Sequence, residues 1–364
     1  MKPLSWWILV EFVVVLATIG SAAQQTPSHL AVPVEPIAAI IDAFRSHSVV
    51  TLSDHHGDPK LLAFELALIR DPRFAADVND IVQEGGNARY QGLMDRYLRG
   101  DDVPYSALSA VWEESTQWQI GGAGRRGGNV PEPYKTIREV NARLPAHRKI
   151  RVLLGDPPID WDRVRTREDH WKWIEMRDSY PAALIQLQVL ARERRALVLF
   201  GQMHAQRRQL AANYDMSSWQ AQTLVSVLER TTPTSVFSVW WLEKGPPPVA
   251  ASWPIPSLAM LRGTDLGAMD FGDFASWPTR VAIRDNQLVP VPRNEWQVLR
   301  LEDQFDAVLY LGSPSNRQSV APVSARSICT EQAYLKERLR RLELVAPPGE
   351  ADRLKQLCAS PAPK

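Results

Sequence analysis

Short apolar runs rich in Val, Leu and Ile recur along the chain. Between them lie stretches whose apolar residues fall three and four positions apart. Val49-Val50-Thr51-Leu52 reads as a buried strand, and residues 79–84, 149–154, 196–200 and 235–241 read the same way. Ile37, Ile40, Ile41 and Phe44 keep helical spacing, as do Leu61, Leu62, Phe64, Leu68 and Ile69. Further helices are expected over 134–144 and 217–230, and a long one over 168–194 that Pro181 would kink. Strands alternating with helices predict an α/β fold, a mainly parallel sheet with helices on both faces.

Residues 24–36 should form a mobile leader, and 37–245 the α/β core domain. Composition changes after Lys244. A Pro-rich stretch and then one rich in Gly, Asp and aromatic residues suggest that 246–302 is a loop-rich excursion over the sheet. Residues 303–364 are expected to hold a returning strand at 307–311 and a C-terminal helical hairpin turning at Ala346-Pro347-Pro348-Gly349. No internal repeat of solenoid length is visible.

Charge narrows the class. The 364 residues carry a formal net charge of +1, unlike a dedicated nucleic-acid binder. The basic runs at 192–195 and 338–341 mix with glutamates and should be solvated helix faces. Lys2, the apolar run 6–19 and the small residues 20–23 make 1–23 a cleaved signal peptide, which sends the chain to the periplasm or outside. If retained, that segment would anchor it; no other membrane contact is expected. The cysteines, Cys329 and Cys358, flank the C-terminal hairpin and are expected to form a disulfide, as suits an exported protein.

Ionisable residues gather where the predicted strands end. Asp54, His55 and His56 follow the first strand, Glu84 and Arg89 the second, Asp156 the third and His204 the fourth. In a parallel sheet those ends share one edge, where ligands bind. Two chemistries fit. In one, an imidazole takes a proton from water attacking an ester or amide carbonyl; Asp54 or Glu84 orients it, and Arg89 or a second histidine steadies the oxyanion. In the other, Asp54, His56, Glu84 and His204 hold a divalent metal that activates the water. His55 is expected to point away, and Asp156, ahead of Pro157 and Pro158, has a turn as its simpler role. There is no Gly-x-Ser-x-Gly elbow for a nucleophilic serine.

Three motifs carry a resemblance: Ser53-Asp54-His55-His56-Gly57 after the first strand, Glu84 after the second, and Gly201-Gln202-Met203-His204 after a later one. In order and context they resemble the superfamily of erythromycin esterases, ChaN haem-binding proteins and Tiki-type metalloproteases. Ser53 and Asp54 stand where that superfamily has Gly and Glu. The stretches Glu84-Gly85-Gly86-Asn87-Ala88-Arg89-Tyr90-Gln91 and Gly155-Asp156-Pro157-Pro158-Ile159-Asp160-Trp161 look like a bacterial branch of it. The resemblance implies an exported hydrolase acting on an ester, lactone or peptide. His56 would be its base or ligand, completed by Asp54, Glu84 and His204. Its alternatives are a haem- or iron-ligand-binding protein, or a catalytically degenerate envelope protein.

Overall fold

A computed structural model describes residues 29–54, 58–117, 130–207, 222–242, 251–274, 281–284, 287–290, 299–312, 329 and 331–359. The segment 1–23 expected to be a signal peptide, His55, His56 and the glycine-rich stretch 121–128 lie outside them.

The parallel strands form where the apolar runs predicted them: β2 (Val49–Asp54), β3 (Asp80–Asn87), β4 (Arg151–Asp156), β5 (Ala196–Gly201) and β6 (Val236–Trp241). With β1 (Pro33–Val34), β7 (Ser257–Met260) and β10 (Ala307–Tyr310) they build an eight-stranded sheet in the order β1-β7-β10-β6-β2-β5-β3-β4. All pairs from β10 to β4 are parallel; β7 runs antiparallel to β10 and to β1. β8 (Val281–Arg284) and β9 (Gln287–Pro290) form a separate antiparallel ribbon.

Helices cover both faces because the strands alternate. Val50, Leu52, Ile81, Val152, Leu154 and Leu197 turn to one face, under α1 (Pro36–Ala43), α2 (Pro59–Arg70), α3 (Gln91–Arg99) and α4 (Glu132–Asn141). Val49, Val82, Leu153, Val198 and Phe200 turn to the other, under α6 (Ser179–Gln188) and α8 (Leu224–Thr231). At the antiparallel side Trp240 packs edge-on to Phe271 at 5.1 Å and stacks on Phe305 at 5.9 Å.

The structure departs from the expected outline in several places. β1 lies in the stretch expected to be mobile, and β7 lies in the stretch expected to pass over the sheet. Both are too short to show an alternation in sequence. The expected long helix is two: α5 (Arg167–Ile174) ends before α6 begins, and Pro181 sits in the first turn of α6 instead of kinking a continuous helix. Proline fits there because the first turn's N–H groups have no helical partners.

The basic runs are not solvated faces throughout. Arg194 and Arg151 clasp the fully buried Asp80 with bonds of 2.7–3.1 Å. Arg338 and Arg341 are buried on the hairpin helix α9 (Gln332–Val345). Cys329 and Cys358 are disulfide-bonded, with Cα atoms 5.3 Å apart, and tie the start of the hairpin to the end of α10 (Glu350–Ala359). Leu342, Ala346, Ala351 and Leu354 fill the hairpin, and Val345 docks it on Ile159, Trp161 and Val164.

Gly155 allows β4 to pass close over Phe200. A Cβ there would fall 2.5 Å from Phe200 Cζ and 3.0 Å from the Gln83 carbonyl. Phe200 is fully buried and cannot swing aside. Gly155→Ala is therefore expected to destabilise the fold by about 1–3 kcal/mol through overpacking. Urea unfolding of the variant beside the wild type measures this; an unchanged midpoint would show that Phe200 yields.

Candidate functional site

β5, β3 and β4 are neighbours, so their carboxyl ends open onto one edge. β3 loses its regular pairing there. Gln83 pairs with Leu154, but the next pair is Asn87 with Asp156, so β3 advances four positions while β4 advances two. Gly85 takes φ +77°, a conformation glycine adopts freely, and a Cβ on Gly86 would meet Leu154 Cδ2 at 2.7 Å. This bulge turns Glu84 inward, where its side chain is 3% exposed.

Glu84 is held from several sides. Its Oε1 accepts from the Arg177 guanidinium and from the Gln117 amide at 3.1 Å. Its Oε2 accepts from the Gly201 N–H at 2.5 Å. Gly201 opens α7 (Gln202–Ala205), which carries His204. His204 Nε2 faces Glu84 Oε1 at 3.6 Å, and Nδ1 lies 2.7 Å from Asp178 Oδ1. That Asp178 oxygen also accepts from Leu224 N, the first residue of α8, at 2.7 Å. Phe200 closes the imidazole's flank edge-on at 5.7 Å.

A second buried carboxylate lies behind. Asp156 Oδ2 accepts from Thr116 N at 3.2 Å and Thr116 Oγ1 at 3.0 Å. The Thr116 carbonyl accepts from His170 Nε2 at 2.9 Å, and His170 stacks on Trp161. Burial lowers the pKa of His170, so it is the neutral ring that donates here.

Burial and neighbouring charge compete at the other groups. Burial raises the Asp156 carboxyl, and Glu84 adds to this against Arg177 and the Thr116 bonds. Burial pulls the Arg177 guanidinium down, but Glu84, Asp156 and Asp178 together carry it above its ordinary value. Burial likewise pulls His204 down, yet Asp178 and Glu84 outweigh both burial and Arg177, leaving its pKa raised. An imidazole between two carboxylates holds its proton more tightly than in water.

Of the residues singled out in the sequence, the fold brings Glu84, Asp156 and His204 to this edge. Asp54 ends β2, and its backbone pairs with Gly201, so the first and last motifs abut in register. The Asp54 side chain, His55 and His56 lie outside the described residues. Arg89 goes elsewhere: it pairs with Asp160 at 2.9 Å, is half exposed, and neither pairs with Glu84 nor faces the imidazole. Asn87 fixes this by capping the turn through the Arg89 N–H at 2.9 Å. The sequence reading missed Arg177, Asp178, Thr116 and Gln117. Pro181 was the available signal for the first two, since a proline in a first helical turn implies a break just before it.

The described half of the suggested metal set, Glu84 and His204, is bound up in the protein's own contacts, with the His204 Nε2 left as the ring's remaining ligand atom. Glu84 is already engaged at both oxygens, with a guanidinium on one, and His204 Nδ1 is held by Asp178. Among the described residues no three His, Cys, Asp or Glu side chains are grouped to hold a metal ion.

The raised His204 pKa makes stability pH-dependent. The folded state keeps the proton longer than the unfolded chain, so this contribution is fully present below about 6.5 and is lost as pH rises through the folded value. Asp178→Asn removes one carboxylate and should flatten that loss. Urea midpoints from about pH 5.5 to about pH 9 test it; equal slopes in both proteins would count against Asp178 as the main source.

No protein-family model and no curated protein sequence matches the chain. Solved structures do. A succinoglycan biosynthesis protein superposes with a TM-score of 0.52 at 10% identity, over 78% of this chain and 94% of that one. A mutant of the erythromycin esterase EreC in its open conformation gives 0.45 at 11%, over 76% and 93%. A protein from Bacillus cereus gives 0.45 at 11%, over 78% and 95%. At 10% identity the likeness to the succinoglycan biosynthesis protein is one of fold.

Proposed function

We propose that the chain is an exported hydrolase that activates water at His204 to cleave an ester, lactone or peptide carbonyl. The observation that carries this reading is the partly buried pairing of Asp178 with His204 Nδ1, which leaves Nε2 turned toward Glu84 and Arg177 at the strand ends.

The chemistry follows from the geometry. Asp178 holds the tautomer with the proton on Nδ1, so Nε2 of the neutral ring carries the lone pair. Nε2 takes a proton from water as the oxygen attacks the carbonyl. The imidazolium formed lies between the carboxylates of Asp178 and Glu84, which stabilise it. The same proton then passes from Nε2 to the leaving oxygen or nitrogen. Arg177 stays charged, and its buried Nε has no hydrogen-bond partner among the described residues, so the guanidinium keeps a donor and positive charge for the oxyanion. Glu84 fixes Arg177 and, through the Gly201 N–H, the loop that bears His204. Asp54 and His56 of the adjoining motif would line the same edge, as the register of Asp54 with Gly201 supports. The Cys329–Cys358 disulfide suits an oxidising compartment and supports the export reading. Among the described residues no helix is long and apolar enough to cross a membrane.

The test is a panel of chromogenic esters, lactones and peptides with mature protein, His204→Asn and Asp178→Asn. Wild-type kcat/KM should rise with pH through an apparent pKa above about 6.5, because the base must lose its proton. His204→Asn should lose roughly 100- to 10,000-fold. Turnover that survives His204→Asn, or none on any member of the panel, would sink the reading.

A further inference from the structure

Residues 113–117 form a buried strut between the C-terminal hairpin and the strand-end site. Glu113, Ser115 and Thr116 are almost fully buried although they belong to no long element. At the far end the Glu113 carbonyl accepts from Arg338 Nη1 at 3.2 Å, with Arg341 Nη1 at 3.5 Å. The Glu114 carbonyl accepts from Asn87 Nδ2 at 2.7 Å, and its carboxylate accepts from Tyr90 and lies 3.7 Å from Arg341. The Ser115 carbonyl accepts from Trp161 Nε1 at 3.1 Å, and the Thr116 carbonyl accepts from His170. At the near end Thr116 donates twice to Asp156, and Gln117 donates to Glu84.

We propose that Arg338 and Arg341 are positioning residues for the strand-end site, acting through this strut on Glu84 and Asp156. The role deepens the hydrolytic reading above and rests on it for any effect on rate. Buried arginines on the inner face of a surface helix need a reason, because an unpaired buried cation is costly. Here the Glu113 backbone carbonyl accepts from both arginines, and the Glu337 carboxylate pairs with Arg341. Arg341 lies over the Trp161 ring at 4.8 Å, and Trp161 holds the middle of the strut. Glu337 locks Arg341 in place at 2.7 Å, and also binds Arg340, which reaches the Val164 and Trp161 carbonyls at 3.1 and 3.0 Å. The hairpin thus grips both the strut and the loop beside it. If the grip is released, the Glu113 carbonyl loses these donors, and the strut is freed to shift against Asp156 and Glu84.

The experiment compares wild type with Arg338→Met/Arg341→Met, which keeps side-chain bulk but removes the donors, and with Glu337→Gln, a milder change on a half-buried side chain. Circular dichroism checks folding. Hydrogen exchange reports on the amides of 113–117, and the His204 ring C–H resonance at fixed pH reports on the site whether or not a substrate is known. The double variant should exchange those amides at least about ten-fold faster, while β5 amides stay protected. Its His204 resonance should move, and kcat should fall with KM little changed. Glu337→Gln should move the same readouts in the same direction by less, and it decides the matter if the double variant does not fold. Faster exchange with an unmoved His204 resonance in a folded variant would overturn the proposal, leaving the arginines a purely structural role. Unchanged exchange would overturn it too. A wild type without hydrolytic activity would sink the hydrolase but not this coupling.

Discussion

Buried negative charge is the constraint on which the strand-end edge depends. Glu84 and Asp156 are buried and the partly buried Asp178 lies close by, near enough that all three act on Arg177. Removing carboxylates from water costs several kcal/mol each unless partners replace the hydration. Arg177 and, below its raised pKa, His204 supply the charge, and Gly201, Leu224, Thr116 and Gln117 supply the hydrogen bonds. Each partner comes from a different stretch of chain. The charge balance therefore fixes where α6, α7 and α8 begin and where residues 113–117 must lie.

Much of this architecture was legible because period-two and helical patterns record burial directly. Val49 to Leu52, 152–154 and 196–200 are largely apolar on both sides, as strands covered on both faces must be. Glu84, Asp156 and His204 were found because they immediately follow such runs. Arg177 and Asp178 were hidden because the helical spacing of α5 runs on into α6 without an obvious gap, and only Pro181 marks the restart. Arg89 was misjudged because the turn capped by Asn87 sends it toward Asp160, a choice made by local hydrogen bonding that proximity in sequence does not reveal. The burial of Arg338 and Arg341 could not be read either. Both reach the Glu113 backbone carbonyl, a kind of partner that every residue has and no residue type announces.

The antiparallel side solves a different problem. β10 alone would leave a parallel edge strand open to another chain. β7 covers it, and two residues of β1 cover part of β7. This blunts the edge with short segments, and the cluster of Trp240, Phe271 and Phe305 anchors the covering from behind. The chain after Lys244 is thus partly integral to the sheet, while the hairpin that follows is stapled by Cys329 and Cys358 and reaches back across the molecule to the strut.

The bulge at Glu84 has a broader meaning. It is a dislocation in an otherwise regular lattice: β3 and β4 are in step up to Gln83 and out of phase by Asn87. The part of β3 that builds the core and the part that builds the edge are thereby uncoupled. Core positions such as Ile81 and Val82 can be exchanged for other apolar residues without rotating Glu84. A one-residue drift of the dislocation would present Gln83 or Gly85 in place of the carboxylate while leaving the layers beneath untouched. Gly85 and Gly86 pin the fault in place, and so set the chemical identity of the edge more directly than any residue in the core.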